Sequence, residues 1–454
     1  MIKNINVNKK KDIDVEIWPI GGYSECGRNM TAVKVGDEFV ILDIGLNMEK
    51  VAESDLEIHL LSPKELKLAG ALPDDSMLKP FAKQVKAIVV GHAHLDHVGA
   101  VPKMAYKTYD CPVIGTPFTI QVLRNLIREE KYKPDNRLIS MNNGSTFKVS
   151  ENITVEFVKM THSTPQTAMV VIHTPKGAIC YANDWKFDQN PVLGQKTDYK
   201  RLRELGNEGV LALMSDTVRI SDYSRTFSES LVKEMFKDLL FWLKGSSQAI
   251  VVVTFSSHIA RLITILELAR NINRIPVIVG RSMKNYISAA EKINLVNFSK
   301  KYKIFGGKGK AEAMFKELEK NREKYLLITT GCQGEPGAVL TSVANDKLSF
   351  KFIEGDQVIF SASTIPTPIN EANRAILEKQ LRQRGVRVFK DVHVSGHGGR
   401  EDLKDLISMM NPMHYIPAHG GLMKLSSAAE LALEMGYELG KTVHVLSNGK
   451  VLKL

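Results

Sequence analysis

Residues 91–100 read GHAHLDHVGA and place three histidines and one aspartate within six consecutive positions of a chain that holds 12 histidines. The preceding run, VKAIVV at 85–90, is apolar and predicts a buried strand. A single histidine past a strand end is usually a hydrogen-bonded structural residue. Imidazoles together with a carboxylate are ligands that suit zinc, with manganese or iron as alternatives. We therefore predict a metal site directly after this strand.

The spacing within the cluster favours two neighbouring metal ions over one. In an extended segment His92 and His94 project from the same side, because alternate residues of a strand share a face. Asp96 and His97 follow and can turn toward a second point close by.

Length and composition indicate a globular protein with more than one core. The 454 residues exceed an ordinary single domain, and the hydrophobic content of 44% and charged content of 24% are typical of globular chains. No apolar run reaches the roughly 18 residues of a membrane span, and no apolar stretch near the start indicates a secretory signal, so we expect no membrane partner. Four isolated cysteines predict reduced thiols in the cytoplasm: Cys26, Cys111, Cys180 and Cys332.

The net charge favours a polyanionic partner. The chain has 61 Lys and Arg residues against 50 Asp and Glu residues, a formal charge of +11. The basic residues are spread, and the run NFSKKYKIFGGKGK at 297–310 is one of the few concentrations.

The pattern along the chain changes near residue 221. Residues 1–220 are rich in strand-like runs and poor in long helices, which predicts sheet-on-sheet packing. From 221 onward, apolar runs such as AIVVVTF alternate with amphipathic helices such as SESLVKEMFKDLLFWLKG, which predicts an open parallel α/β unit. The last predicted strand is TVHVLSNG at 442–449. We predict an insertion, with one domain formed by 1–220 and 392–454 and a second by 221–391.

Other chemically active side chains also follow strand-like runs. Each of them alone is as well explained by a structural role, but their repetition beside Gly or Ser at strand ends indicates one functional rim. These residues are Asp43, His162, Asp184, Asp216, His393, His397 and His419.

These motifs resemble a known family. The pattern His92-x-His94-x-Asp96-His97, with Asp43 upstream and His162 and Asp184 downstream, is similar to the metallo-β-lactamase motif set. The stretches LMSDT, HVSGHG and IPAHG resemble the three further motifs of β-CASP nucleases. GGYSECGRNM, THSTP, NDWKFD, TFSSHIARL, TGCQGEPGA and SASTIP resemble the ribonuclease J family in its short archaeal form. The resemblance covers nearly the whole chain and implies an α/β fold, a metallo-β-lactamase αββα sandwich with an inserted β-CASP α/β domain.

The resemblance implies a role for each residue of the rim. His92, His94 and His162 would hold one zinc, Asp96, His97 and His419 would hold a second, and Asp184 would bridge them. The cofactor is thus two Zn²⁺ per chain, with Mn²⁺ as an alternative. Asp43 would orient a ligand histidine. His397, oriented by Asp216, would be the general acid that protonates the leaving 3′ oxygen.

The resemblance also implies a pocket for an RNA 5′-monophosphate, one nucleotide from the metals. Its residues would come from FSSH and HVSGH, whose hydroxyls, imidazoles and backbone N–H groups suit a phosphate. Two ordinary strand-end turns are the alternative. The pocket residues are Phe255, Ser256, Ser257, His258, His393, Ser395, Gly396 and His397.

The implied activity is 5′→3′ exonucleolytic degradation of single-stranded RNA to mononucleotides in the cytoplasm by a homodimer, with endonuclease activity in addition. The rivals are an endonuclease of the mRNA 3′-end-processing type, a DNA-repair nuclease, an RNA-binding module with a decayed site, and a small-molecule metallohydrolase of the same fold. Two local departures from the family pattern are Asn183, where a glycine is usual, and Gly420–Gly421, where an acidic residue is common. The additional C-terminal domain of bacterial relatives has no counterpart after TVHVLSNGKVLKL, so we expect assembly to differ from theirs.

Overall fold

The computed structural model describes residues 13–53, 61–105, 107–131 and 133–454. The strands of these residues form three sheets. The first two belong to one sandwich and the third to a separate layered unit.

The first sheet has seven strands, antiparallel at one end and parallel at the other, where apolar runs such as VKAIVV lie against a neighbour running the same way. In spatial order they are β19 (Leu452–Lys453), β1 (Val15–Gly21), β2 (Met30–Val35), β3 (Glu38–Leu42), β4 (Val85–Val90), β5 (Val113–Gly115) and β6 (Leu138–Ser140).

The second sheet has six strands and packs face to face on the first. In spatial order they are β18 (His414–Ala418), β11 (Val210–Asp216), β10 (Gly177–Ala182), β9 (Ala168–Thr174), β8 (Thr154–Lys159) and β7 (Thr146–Lys148). Alternate residues of both sheets, among them Val33, Val89, Phe157, Ile179 and Met214, form the buried core between them.

The third sheet is wholly parallel, and its strands are apolar on both faces because helices cover both. In spatial order they are β14 (Lys303–Phe305), β13 (Ile275–Val279), β15 (Tyr325–Thr329), β12 (Ile250–Thr254), β16 (Gln357–Ser361) and β17 (Arg387–Phe389).

Helices form the outer layers, each turning an apolar stripe toward a sheet. Those on the first sheet are α1 (Met48–Glu53), α2 (Pro63–Leu68), α3 (Leu95–Val98), α4 (Val101–Met104) and α5 (Pro117–Glu129). Those on the second are α6 (Tyr199–Glu208), α13 (Arg400–Met410) and α14 (Leu422–Glu434). The third sheet carries α7 (Glu229–Trp242), α8 (Ile259–Asn271), α9 (Arg281–Lys292), α10 (Glu312–Lys320), α11 (Val339–Ala344) and α12 (Pro368–Gln383). The helices of the described ranges are too short or too polar to cross a bilayer.

The inserted unit enters the sandwich between two strands that are neighbours in space. β11 and β18 pair in parallel, with Met214 opposite Ile416, although about 200 residues separate them. The fold predicted from the sequence, an αββα sandwich with an inserted α/β domain, is confirmed. The exact boundaries at 220 and 391 stay predictions.

Two local expectations differ from the structure. TVHVLSNG is not a strand, because within it only Val443 forms β-bridges, isolated ones to Tyr415 and Leu439. The short β19 takes the edge beside β1. The first 220 residues also contain more helix than expected, since α5 has 13 residues and α6 has 10.

Candidate metal centre and active site

The rim predicted from the sequence exists as a set of strand-end loops. The ends of β3, β4, β8, β10, β11 and β18 bring Asp43, the His92–His97 motif, His162, Asp184, Asp216 and His419 together. Gly45 makes the tight fit of two of these loops, because a side chain there would overlap the backbone carbonyl of Asp96. The loops therefore approach one another at backbone distance.

Asp184 lies at the centre of the site, with its two oxygens directed at two different groups of imidazoles. Oδ2 is 3.3 Å from Nε2 of His92, 3.3 Å from Nε2 of His162 and 3.8 Å from Nδ1 of His94. Oδ1 is 3.2 Å from Nε2 of His97 and 3.6 Å from Nε2 of His419.

Asp96 completes the second group. Its Oδ2 is 3.5 Å from Nε2 of His97 and 3.5 Å from Nε2 of His419. Two sets of ligand atoms thus share one carboxylate, one set with His92, His94 and His162 and one with Asp96, His97 and His419. This arrangement suits two neighbouring metal ions bridged by Asp184.

Hydrogen bonds at the far ring nitrogens orient two of the imidazoles. Nδ1 of His97 is 2.8 Å from Oδ2 of Asp43, which accepts a bond from the Gly91 amide through its other oxygen. Nδ1 of His162 donates to the Gly396 carbonyl at 2.6 Å. These bonds turn Nε2 of both rings toward Asp184, and a bond at the far nitrogen is how ligand histidines are usually held.

His94 is oriented from the inserted domain. Its Nδ1 faces Asp184, and its Nε2 is 3.0 Å from the hydroxyl of Ser257. One domain thus supplies the ligand and the other holds its ring.

Two buried atoms of the centre test whether a metal ion fits. Among the described side chains, Nε2 of His92 and Oδ1 of Asp184 are buried without a hydrogen-bond partner. A buried polar atom without a partner costs free energy, and a coordinated cation would supply the missing partner for both. The donor set of imidazoles and carboxylates also matches zinc.

The charges of the centre also favour a bound cation. Burial raises the pKa of Asp96, but His97 and His419 outweigh it and hold that pKa well below its usual range. Burial lowers the pKa of His419, but Cys26 and Asp184 outweigh it and raise that pKa to about 10. Burial holds the pKa of His162 near 4. The carboxylates thus stay ionised because positive charge lies beside them, and bound metal ions would supply such charge.

His397 also lies near the central carboxylate of Asp184, in addition to the two groups of ligand residues. Its Nε2 is 3.9 Å from Oδ2 of Asp184, and its Nδ1 is 3.1 Å from Oδ2 of Asp216. Burial lowers the pKa of His397, but Asp216 and Asp184 outweigh it and raise it above the usual value. A protonated imidazole with one N–H on Asp216 presents its other N–H to the centre.

The segments 255–258 and 393–397, here called the pocket segments, lie beside the metal centre, but several of their side chains already have partners. His258 caps α8 through a bond from the Arg261 amide to its Nδ1, and its Nε2 is 3.4 Å from Glu229. His393 lies 3.4 Å from Arg261 and, through Nε2, 3.4 Å from the Ser363 hydroxyl.

The remaining members of the pocket segments have varied contacts. The Ser395 hydroxyl accepts a bond from the His397 amide at 3.0 Å. Phe255 lies with its ring 6.4 Å from that of His393, and Ser256 is half-buried. Gly396 is crowded, since a side chain there would press on the ring of His162.

A cavity of about 250 Å³ opens between the two domains next to His162. Ser163, Lys186, Glu229, His258 and Gly396 are among its lining residues. The predicted pocket residues His258 and Gly396 therefore reach a real cavity.

A buried ionic network behind the pocket segments was not predicted. Arg261 is fully buried and binds Glu229 through two bonds, at 2.5 Å and 2.8 Å. It also donates to the carbonyl and hydroxyl of Ser361 and lies 3.4 Å from the Val392 carbonyl. The sequence gives no local sign of this network, because Glu229, Arg261 and Ser361 are far apart along the chain.

The two local departures are accommodated. The Asn183 amide bonds to the Tyr181 hydroxyl at 2.5 Å and lies 3.2 Å from Nδ1 of His97, so it packs against a predicted ligand. Any side chain at position 420 would overlap the hydroxyl of Thr217, so Gly420 belongs to this arrangement of the loop.

Fold and site together define a metallo-hydrolase of the metallo-β-lactamase fold with a β-CASP insertion. Three family models match, "Beta-lactamase superfamily domain" at residues 69–198, "Ribonuclease J, beta-CASP domain" at 247–378 and "Zn-dependent metallo-hydrolase RNA specificity domain" at 386–446. A crystal structure of a protein of unknown function from Enterococcus faecalis V583 covers 97% of this chain and 100% of that chain, with a TM-score of 0.64 at 18% identity. That likeness shows the fold alone.

Curated relatives narrow the class. Ribonuclease J of Methanocaldococcus jannaschii is 44% identical and covers 96% of this chain and 98% of its own. Ribonuclease J of Pyrococcus abyssi is 43% identical and covers 97% of each. Ribonuclease J 1 of Streptococcus pyogenes is 31% identical and covers 99% of this chain and 76% of its own. The chain belongs to the ribonuclease J family, and the resemblance inferred from the sequence is confirmed.

Proposed function

We propose that this chain is a two-zinc 5′→3′ exoribonuclease that removes mononucleotides from single-stranded RNA with a 5′-monophosphate. Family and fold together make the chain a metal-dependent ribonuclease. The observation that carries the finer proposal is Asp184, whose two oxygens face two separate ligand groups while His397 faces the same carboxylate.

The ligand roles follow from this geometry. His92, His94 and His162 would hold one ion, Asp96, His97 and His419 the other, and Asp184 both. Two bound zinc ions would supply activation of water and neutralise charge on the phosphoryl group during an in-line displacement. Mn²⁺ is the alternative metal.

His397 acts as the general acid in this proposal. When the bond between phosphorus and the 3′ oxygen breaks, Nε2–H of His397 gives its proton to that oxygen. Asp216 holds the other N–H and stabilises the imidazolium before transfer. Water adds to phosphorus, so the products are a 5′-mononucleotide and a strand with a new 5′-phosphate.

The pocket segments set the polarity of cleavage. Nε2–H of His94 donates to Ser257, which leaves the serine O–H free to donate to a terminal phosphate oxygen. Ser395 is the second hydroxyl beside the centre. A phosphate held there stops the strand one nucleotide past the metals, and a triphosphate is too large and too highly charged for the same place.

The proposal also includes a cellular compartment and an oligomeric state. The four free cysteines support a cytoplasmic protein, where thiols stay reduced. The homodimer stays a prediction, which light scattering during size-exclusion chromatography tests.

The deciding experiment digests one RNA labelled at either end, bearing a 5′-monophosphate or a 5′-triphosphate. We expect 5′-label to appear as mononucleotide from the first time point, slower decay of the triphosphate form, and a block by a 5′ duplex. Shortening from the 3′ end would refute the proposal. Internal cuts that ignore the 5′ group would replace it with an endonuclease.

A further inference from the structure

Four large apolar side chains are exposed beside the active site, two on a loop and two on the first turn of α14, in segments that leave adjacent strands. They are Tyr223 (75% exposed), Phe227 (64%), Leu422 (67%) and Met423 (86%), here called the rim surface. The first pair follows β11, which ends at Asp216, and the second pair follows β18 and His419. Because β11 and β18 are parallel neighbours, both segments begin at the same end of the sheet, where the two strands finish.

Direct contacts join the segment after β11 to the segment after β18. Nζ of Lys424, next to Met423, donates to the Val218 carbonyl at 2.8 Å, and the Thr217 hydroxyl donates to the Ala418 carbonyl at 3.0 Å. The guanidinium of Arg400 lies 5.2 Å from the centre of the Tyr223 ring and 3.4 Å from the Ser427 carbonyl of α14. Met423 and Ser427 lie one turn apart on the same face of α14.

The backbone that carries the aromatic rings is fixed although the rings are exposed. The Thr226 amide donates to Asp402 at 2.8 Å, and the Thr226 hydroxyl donates to the carbonyl of His397 at 2.7 Å. The carbonyl of Phe227 accepts a bond from Lys186 at 3.2 Å. Phe227 therefore sits one residue from a direct contact with the general acid and is held in place before any ligand arrives.

We propose that the rim surface stacks unpaired bases of the RNA strand downstream of the scissile bond. Proteins hold single-stranded nucleic acid without reading its sequence by stacking bases on exposed aromatic rings, since every base has a flat face. Here the backbone that carries such rings is fixed. This inference rests on the proposed function. The phosphate pocket leaves room for one nucleotide upstream of the cut, so a further base-binding surface beside the metals serves the downstream strand. The net charge of +11 suits the same polyanion.

The test compares Tyr223→Ala/Phe227→Ala with the matched control Phe241→Ala/Trp242→Ala. Phe241 and Trp242 are 73% and 62% exposed but lie at the far end of α7, about 20 Å from Phe227 along the helix. KM and kcat are measured on a 5′-monophosphorylated RNA of about 12 nucleotides and on the corresponding dinucleotide, which has a single base downstream of the cut and lacks the rest of the strand.

We expect the rim variant to raise KM for the longer RNA roughly tenfold, the effect of losing about one stacked base, and to leave the dinucleotide unchanged. Phe227→Tyr should keep the KM of the unaltered protein for the longer RNA, whereas Phe227→Leu should raise it. An unchanged KM for the longer RNA would overturn the inference. So would an equal loss on both substrates, which would show that the rings support the fold of the site.

A second readout separates this inference from the proposed function. If the unaltered protein hydrolysed neither RNA, the proposed function would fail, yet binding would still report on the rim. A 2-aminopurine base a few positions from the 5′ end should lose fluorescence on binding the unaltered protein and the control variant, because stacking quenches it. Equal quenching by the rim variant would overturn the stacking surface.

Discussion

The metal centre and the pocket segments lie side by side, yet their side chains are committed in opposite ways. In the metal centre, His92 and Asp184 point buried atoms inward with no hydrogen-bond partner. In the pocket segments, His258 and His393 already bind Glu229 and Arg261. The first region is arranged around something it must bind, and in the second region these two histidines belong to a scaffold that supports the first.

The contacts between the regions show what this scaffold does. Ser257 holds the ring of His94, and the Gly396 carbonyl holds the ring of His162. Both ligand histidines belong to the sandwich, and both partners lie outside its ligand-bearing strands. Correct placement of the inserted domain thus orients the ring of His94, so a fault in the scaffold should show first as reduced stability.

Loss of a metal ligand should have the largest effect. His92→Ala or Asp184→Ala should reduce RNA hydrolysis to background and lower the bound metal, because His92 belongs to one ligand set and Asp184 faces both sets. Elemental analysis and an RNA decay assay measure both. The control is His414→Ala, whose ring contacts His444 and none of the predicted ligands. Full activity in a metal-free variant would contradict the mechanism.

Loss of the general acid should come next. His397→Ala should lower kcat by roughly 10²–10⁴-fold, the range for removing a general acid, while RNA binding and metal content largely persist. Single-turnover kinetics and a binding titration separate the two effects. A variant that keeps its rate constant but no longer binds RNA would show that His397 contacts substrate in another role.

Breaking the buried pair should test the scaffold. Glu229→Gln leaves the guanidinium of fully buried Arg261 without its anion, so the free energy of unfolding should fall by about 3–5 kcal/mol. Chemical denaturation measures the change. Glu438→Gln, which breaks an exposed pair with Lys441, is the control and should change little. Similar small losses in both variants would remove the scaffold from the account.

The same pair predicts a pH dependence. Burial raises the pKa of Glu229, but His258 and Arg261 outweigh it and hold that pKa far below its usual range. A carboxyl whose pKa is depressed on folding stabilises the protein above the unfolded pKa and loses that contribution as pH falls. The contribution of the Glu229 carboxylate to the stability gap between the unaltered protein and Glu229→Gln should therefore be lost as pH falls below about 4.3. A gap that does not shrink below that pH would contradict this prediction.

The smallest expected effect lies in the pocket. Ser257→Ala removes one hydroxyl, so the preference for monophosphate over triphosphate ends should fall by about three- to tenfold. Decay rates of the two RNAs measure the preference, and metal content should remain. Ser228→Ala, at the N-terminus of α7, is a serine control. An unchanged preference in Ser257→Ala would leave its hydroxyl with His94 alone.

The residues of the centre could be named from the sequence because ligand chemistry is carried by residue type. His92, His94 and Asp96 occur together after one strand, and the resemblance supplied His162, Asp184 and His419 from distant strands. The fold followed from the same motifs and from the change of pattern near residue 221. The roles assigned to these residues stay predictions, although the structure brings all of them together.

Tertiary pairing hid the rest. Gly396 holds His162 through a backbone carbonyl, which no residue type announces. Glu229 and Arg261 meet across two helices, and either charge alone reads as a surface residue. TVHVLSNG has the composition of a strand, but only its Val443 forms β-bridges, which are isolated, and His444 packs on His414.

The central claim is that two metal ions lie on either side of Asp184, and anomalous X-ray diffraction at the zinc edge from crystals of the purified protein tests it directly. We predict two peaks about 3.5–4 Å apart, one beside His92, His94 and His162 and one beside Asp96, His97 and His419. Each should lie about 2.0–2.2 Å from its imidazole and carboxylate ligands. A single peak, or peaks away from Asp184, would contradict the account.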